Sequence, residues 1–285
     1  MRPLELWHLA SLDAPTVALT WAWVFAWANE THLSPQAAAV IGLCVWIVYV
    51  GDRLLDTRAA LKQRAECRLR ERHYFHWRHR WTLVPFAAVA ALIAAALILG
   101  CIPPVARERD SVLVAASLAY FAGVHRSQLA TIRSARISLP PLITKELLVG
   151  VLFATGCALP SFGAIFSTSM AASMVSIGSI AFFAALAWLN CHAIDYWESP
   201  AKNHLKALFP RLAIALAFIG LVAAILLVNN FQRHALLIAS GALSALFLAL
   251  LDKLRARLAS ATLRAAADLV LLTPALLIPF GGFLR

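Results

Sequence analysis

Residues 84–100 read VPFAAVAALIAAALILG, a run without one charged or hydrogen-bonding side chain. Crossing the hydrocarbon layer of a bilayer as a helix takes about 17 to 25 apolar residues. A strand of a membrane barrel would instead alternate apolar and polar residues over about ten positions. Because backbone polar groups in lipid must be bonded within their own segment, this run predicts a transmembrane helix and an all-α membrane fold.

The rest of the chain has the same character. Of its 285 residues 61% are hydrophobic and 14% are charged, with a mean hydropathy of +0.77, outside the usual range of soluble domains. Apolar runs lie near 14–29, 35–50, 82–102, 111–125, 138–160, 170–190, 211–229, 234–251 and 265–284. We expect a bundle of about nine transmembrane helices, forming a single integral membrane domain over residues 1–285.

The charges indicate an orientation in the membrane. Lys and Arg total 25 against 14 Asp and Glu, and most basic residues follow the even-numbered runs, above all in the segment 51–81. Cytoplasmic loops collect such residues, so we predict a cytoplasmic N-terminus in the bacterial inner membrane. Basic residues beside a bilayer attract anionic lipid, so we expect the lipid bilayer and not nucleic acid as the partner of this charge.

A first polar cluster ends the second apolar run, where residues 48–58 read VYVGDRLLDTR. Asp52 and Asp56 are four residues apart and share a face if the segment is helical. Carboxylate oxygens are ligands that Mg²⁺ accepts, together with substrate phosphates. The alternative is that these aspartates form solvated ion pairs with Arg53 and Arg58 where the helix leaves the membrane.

A second polar cluster ends the sixth run, where residues 188–200 read WLNCHAIDYWESP. It begins the predicted second cytoplasmic loop, residues 191–209. Ionisable residues at the membrane surface end of a span usually face a polar cavity. We therefore expect the two clusters to meet at one cytoplasmic mouth. The polar residues of the second cluster are Asn190, His192, Asp195 and Glu198.

Lys145 interrupts the fifth run shortly after Pro140 and Pro141. Its ammonium group either reaches the interface along an apolar stem or contacts a phosphate group near the cavity mouth.

The basic segment 67–81 reads CRLRERHYFHWRHRW. His73, His76 and His79 recur every three residues, which is compatible with metal binding. Arginines stand between them and would repel a cation, while the interleaved aromatic residues suit a helix at headgroup level. A membrane-surface helix or active-site cap is the favoured interpretation.

These features resemble the UbiA superfamily of intramembrane prenyltransferases, which shares the span number, the cytoplasmic N-terminus and acidic motifs after the second and sixth spans. The family's first motif runs Asn-Asp-x-x-Asp-x-x-x-Asp. Aligning GDRLLD with its latter half places Asp52 and Asp56 on the last two aspartates, while Val48 and Tyr49 fall on the Asn-Asp pair.

In the second motif Asp195 and Glu198 are the acidic counterparts, His192 occupies a position where an acid is expected, and Asn190 matches a polar position. The stretch SARISLPPLITKELLVGVLFATG resembles the family's fifth span.

The resemblance implies a Mg²⁺-dependent enzyme that transfers an isoprenoid group from its diphosphate to a lipophilic acceptor, commonly an aromatic ring. It implies that Asp52, Asp56, Asp195 and Glu198 are metal ligands, and that the catalytic set is Asp52, Asp56, Asp195 and Lys145. The implied substrate contacts are Arg53, Arg58, Tyr49, Asn190 and His192.

Two other functions fit the same residues. The charges of a membrane transporter or binding protein for a lipid or anion would line an ion path, and broken helices in both halves would favour that function. A non-catalytic UbiA-like scaffold would tolerate alanine in both acidic clusters.

Overall fold

A computed structural model describes residues 3–62, 69–130, 145–198 and 208–280. Within these ranges the chain is almost wholly helical and contains no strand, which confirms the all-α class. Pro140 and Pro141 lie outside the described residues.

The described ranges contain twelve α-helices. They are α1 (Pro3–Leu9), α2 (Asp13–Ala28), α3 (Pro35–Lys62), α4 (Glu71–Arg78), α5 (Arg80–Cys101), α6 (Pro104–Ala130), α7 (Lys145–Ala158), α8 (Phe162–Ser167), α9 (Met170–Glu198), α10 (Phe209–Leu227), α11 (Gln232–Leu254) and α12 (Ser260–Val270). Short 3₁₀ turns cover Leu159–Ser161, Arg255–Arg257 and Thr273–Phe280.

Six helical segments in the described ranges are long and apolar enough to cross a membrane. They are Pro35–Lys62, Arg80–Cys101, Glu146–Ser167, Met170–Trp197, Phe209–Leu227 and Gln232–Arg257. A seventh is possible if Ser260–Val270 and Thr273–Pro279, bent by 44°, form one span.

The predicted count of nine is not confirmed. The run 14–29 forms a helix of only 16 residues. The run 111–125 lies within α6, whose first turns carry the charged residues Arg107, Glu108, Arg109 and Asp110.

The spanning helices expose large apolar side chains. On α5, Leu92 is 71% exposed, and on α10, Leu226 is 74% exposed. Continuous apolar surface of this kind is rare on soluble monomers and suits contact with lipid tails. The structure thus agrees with a multi-pass membrane protein.

The chain divides into two compact units. Unit 1 comprises residues 1–15 and 35–141, and unit 2 comprises residues 16–34 and 142–285. In unit 1, α3 packs against α4 and α5 and also contacts α6, while α1 packs against α4.

Unit 2 is built around α9, which packs against α7, α10 and α11. Gly150 of α7 permits the closest approach, because a Cβ there would stand 2.7 Å from the carbonyl oxygen of Ala184 on α9. The rings of Trp21 and Phe183 stack at 3.7 Å between centroids, and the Trp21 indole donates to the carbonyl of Leu271 at 2.9 Å.

Candidate functional site

The first acidic pair lies on one uninterrupted helix. α3 continues through Asp52 and Asp56 to Lys62, so the two carboxylates do stand one turn apart, and both are half-buried. The predicted loop 51–81 therefore begins as helix for twelve residues. Between Asp56 and Lys62 the sequence contains no Gly or Pro, and the Leu, Ala and Lys residues there are strong helix formers.

Arg53 and Arg58 differ sharply in their surroundings. Arg53 is buried, its Nε donates to the hydroxyl of Ser11 at 2.8 Å, and its guanidinium lies 5.7 Å from the ring centroid of Tyr49. Arg58 is exposed and lies about 140° round the helix from Arg53. Of the two predicted diphosphate contacts, only Arg53 is therefore held in place beside the acidic pair.

A buried polar network surrounds Arg53 in unit 1. Ser11 Oγ lies 3.2 Å from Nε2 of His76, and Nδ1 of His76 donates to the carbonyl of Arg72 at 2.8 Å. The hydroxyl of Thr57 donates to the carbonyl of Arg53 at 2.7 Å. Ser11, Thr57 and His76 have no exposed surface.

A second buried pair lies at the connection from α1 to α2. Nδ1 of His8 lies 2.6 Å from a carboxylate oxygen of Asp13, and the other oxygen accepts from the backbone N–H of Ala14 at 2.9 Å. Burial alone would raise the pKa of Asp13, but the hydrogen bond from His8 and the charge of Arg53 outweigh it and lower that pKa. Asp13 is therefore a buried carboxylate, and its charge helps to balance Arg53.

Within the histidine segment, residues 71–78 form α4 and His79 follows it, and the three rings differ in their surroundings. Nδ1 of His73 accepts from the backbone N–H of Arg70 at 3.0 Å, and Nδ1 of His79 donates to the carbonyl of Phe75 at 2.8 Å. Burial lowers the pKa of His73 to about 3, helped by the charge of Arg72, and that of His76 to about 4. The two buried rings are therefore neutral at pH 7 and serve as packing and hydrogen-bonding groups of unit 1.

The other face of α4 fits the membrane-surface interpretation. Tyr74 is 48% exposed, and Trp81, at the start of α5, is 80% exposed. A position at the membrane surface stays a prediction.

The second acidic cluster lies on the last turns of α9, in unit 2. Asn190 is buried, and its Nδ2 donates to a carboxylate oxygen of Asp268 at 3.0 Å. His192 stacks on Trp188 at 5.6 Å between ring centroids. Asp195 is exposed. The first part of the predicted loop 191–209 is thus helical. The side chain of Asn190 is hydrogen-bonded within the protein.

The predicted residues Glu198 and Lys145 mark helix ends. Glu198 is the last residue of α9 and Lys145 the first of α7, and their side chains lie outside the described part of the chain. Since the two acidic clusters belong to different units, their meeting at one mouth stays a prediction.

Asp252 fixes the end of α9 to α11. One of its carboxylate oxygens accepts from the indole of Trp197 at 2.9 Å and from Arg255 at 3.0 Å. The guanidinium of Arg255 also lies 4.7 Å from the ring centroid of Tyr196. The residues that flank Asp195 are therefore held by contacts inside unit 2.

A cavity of about 360 Å³ opens beside Trp197 and Arg255. Ile194 and Trp197 line it from α9, and Ser260 and Arg264 line it from α12. Its volume lies at the lower end of the range of small-molecule sites.

Sequence reasoning missed the residues that hold the predicted ones. Ser11, Asp13 and Asp252 belong to no motif, and Ser11 lies 42 positions from Arg53. The sequence signal for the two aspartates is that acidic residues are scarce in so apolar a chain, so each that stands near a span end needs a partner. Ser11 has no comparable signal.

The fold and these sites define a polytopic helical membrane protein with a buried cation next to a carboxylate pair. No protein-family model, curated protein or solved structure matches the chain.

Proposed function

We propose that the protein is a Mg²⁺-dependent intramembrane prenyltransferase, which moves an isoprenoid group from its diphosphate to a lipophilic, aromatic acceptor. The observation that supports this best is the arrangement on α3. Two half-buried carboxylates, Asp52 and Asp56, share a helix face, and the immobilised cation of Arg53 is the next residue to Asp52. A diphosphate bound with its metal ion needs both charge types side by side.

The local residues fit Mg²⁺ by their chemistry, because carboxylate oxygens are hard ligands and two on one face can share a hydrated ion. When bound, the ion would neutralise the negative charge that develops on the departing diphosphate. Asp195 and Glu198 are the proposed ligands from α9. Arg53 would donate hydrogen bonds to phosphate oxygens, which strengthen as charge builds on the leaving group.

The reaction is a substitution at the allylic carbon of the donor. The bond from that carbon to the diphosphate oxygen breaks, a bond to an acceptor carbon forms, and the acceptor ring loses a proton. Lys145 is the proposed additional contact of the leaving diphosphate, and Tyr49, whose ring stands beside Arg53, the proposed contact of the isoprenoid chain. His192 is the proposed contact of the acceptor.

The proposed topology extends the described helices to nine spans, with the N-terminus in the cytoplasm of a bacterial cell. α2, α6 and the bent pair that begins with α12 would supply the spans beyond the six. The apolar tail of the donor would lie between helices while its headgroup stays at the cytoplasmic surface.

Binding of geranyl diphosphate and longer isoprenoid diphosphates to the purified protein in detergent, with and without Mg²⁺, tests the proposal. We expect Mg²⁺-dependent binding that weakens at least tenfold in Asp52→Asn and Arg53→Lys. Glu108→Gln, at an exposed position of α6, serves as the control and should bind within about twofold of the wild type.

A folded wild type that binds no isoprenoid diphosphate contradicts the proposal and favours the transporter or scaffold functions. Metal-independent binding that Asp52→Asn leaves intact contradicts the assignment of metal ligands.

A further inference from the structure

Resting on the proposed function, we propose that Ser11 and His76 are positioning residues that hold the Arg53 guanidinium in place to receive the diphosphate of the substrate. Neither residue belongs to an acidic motif. Both act through Arg53 and need not touch the substrate.

The directions of the hydrogen bonds form one consistent chain. Nδ1 of His76 lies 2.8 Å from the carbonyl oxygen of Arg72, and a carbonyl only accepts, so Nδ1 carries the ring proton. Nε2 of the neutral ring is then an acceptor. The Ser11 hydroxyl, 3.2 Å away, donates to it. Its oxygen in turn accepts the Nε–H of Arg53 at 2.8 Å.

Burial keeps this chain in one state. It lowers the pKa of His76 to about 4, and the charge of Arg53 lowers it further, so the ring stays neutral at pH 7. A protonated ring would have no acceptor for the Ser11 hydroxyl. The hydroxyl then could not keep the same orientation toward Arg53.

The contact through Nε leaves the terminal amino groups of Arg53 for other acceptors. A guanidinium has five N–H donors, and binding of phosphate oxygens in a fork uses donors on one side of the plane. The ring of Tyr49 lies 5.7 Å from the guanidinium, and Thr57 bonds the Arg53 carbonyl. Backbone and side chain of Arg53 are thus both fixed, which reduces the entropy lost when an anion binds.

The backbone of Ser11 supplies an independent sign of function. Its φ is 56°, in the left-handed region that favours glycine. A side chain in that region is strained, and such strain persists where the surroundings determine it and clusters at functional sites. Glycine would fit this backbone more easily but has no hydroxyl. Position 11 therefore carries a serine hydroxyl although the backbone conformation there favours glycine.

The variant Ser11→Gly separates positioning from folding. It relieves the backbone, but it also removes the acceptor of the buried Arg53 Nε–H. Because these two effects on stability oppose each other, we expect only a small change in melting temperature. With geranyl diphosphate and Mg²⁺ as the probe, we expect affinity to fall about tenfold. Ser11→Ala should lose the same affinity but melt at a lower temperature, because alanine keeps the strain.

A double-mutant cycle shows whether Ser11 acts through Arg53. In an Arg53→Ala background, Ser11→Gly should cause little further loss, and His76→Ala, made in both backgrounds, should behave likewise. A purely structural role predicts that each loss is the same in both backgrounds.

The outcomes distinguish the two proposals. A wild type that binds no isoprenoid diphosphate overturns the proposed function and, with it, this inference. A wild type that binds, together with a Ser11→Gly variant of equal affinity or with fully additive losses, overturns the positioning role alone.

Discussion

At the scale of single residues, the helix position of a charge decides what it can do. Arg53 and Arg58 lie five positions apart, and from the sequence alone they are equal candidates for a diphosphate contact. Because α3 continues as a helix past both, one guanidinium is buried against Ser11 and Tyr49 and the other points to solvent. An exposed arginine must be ordered when it binds, at a cost of about 0.5–1.5 kcal/mol for such a side chain. Arg53 is already ordered.

The buried histidines make stability depend on pH. The pKa of His73 is about 3 and that of His76 about 4 in the folded protein, against about 6.5 in an unfolded chain. Below pH 6.5 the unfolded chain binds more protons, so the free energy of unfolding falls as the pH falls toward 4. Each ring contributes up to about 1.4 kcal/mol per pH unit across that window.

Melting temperatures in detergent from pH 7.5 to 5 measure this effect, above the range in which most carboxylates titrate. The decline should be smaller in His76→Gln than in the wild type. It should be unchanged in His79→Gln, where the replaced ring is exposed. An equal decline in all three proteins would contradict neutral burial of His76.

The sequence predicted candidate site residues, but it did not predict their partners in the fold. Asp52 and Asp56 could be placed on one face because helical spacing is a local property. The bond of Asn190 to Asp268 joins residues 78 positions apart, and the left-handed backbone of Ser11 depends on packing around it. Contacts of this kind arise from tertiary structure, which no local pattern encodes.

At the scale of helices, close packing in unit 2 depends on glycine. A Cβ at Gly150 would stand 2.7 Å from the Ala184 carbonyl and 2.9 Å from the Trp188 backbone nitrogen, both on α9. Neither backbone atom can move without shifting the helix. Small residues let backbones approach in this way in membrane proteins, where apolar burial adds little to helix association.

We therefore expect Gly150→Ala to destabilise the protein by about 1–3 kcal/mol through overpacking. Gly178 on α9 is the matched control, because a Cβ there meets nothing within 4 Å. Gly178→Ala should be neutral or stabilising by up to about 1 kcal/mol, since alanine favours helix. Thermal unfolding of both variants in one detergent measures the difference. A Gly150→Ala variant as stable as Gly178→Ala would contradict the close approach of α7 and α9.

Helix boundaries were less predictable than helix type. Apolar runs mark where a helix is buried in lipid, whereas the helix itself ends only where its backbone pattern stops. α3 thus runs twelve residues past the end of its apolar run at residue 50. Conversely, α6 is long enough to cross a membrane, but charges stand in its first turns. Its length therefore suits a span, whereas its hydropathy does not place it among the six candidates. The all-α class followed from composition because lipid permits few backbone structures.

At the scale of the whole molecule, the charge asymmetry of the sequence predicts the side of the membrane on which the first acidic cluster lies. In chain order the acidic pair on α3 comes first, the basic segment with α4 second and α5 third. The orientation of α5 therefore fixes the side of the membrane on which the first acidic cluster lies. At the other end of α5, the next charges include Arg109, which is paired with Asp110 at 2.6 Å. The excess of basic charge in the sequence therefore lies toward the Arg80 end, and the positive-inside rule predicts that this end faces the cytoplasm.

The ends of α5 make this orientation measurable with cysteine labelling. Cys101 is exposed at its last turn, so a variant that keeps Cys101 and replaces the other cysteines by serine should react with a membrane-impermeant maleimide in intact spheroplasts. Tyr74→Cys in a background without other cysteines places a thiol on α4, where Tyr74 is 48% exposed, and should react only after permeabilisation. The reverse pattern would put the first acidic cluster outside the cell, away from a cytoplasmic isoprenoid diphosphate. Equal labelling of both thiols in intact spheroplasts would mean that α5 does not separate two compartments.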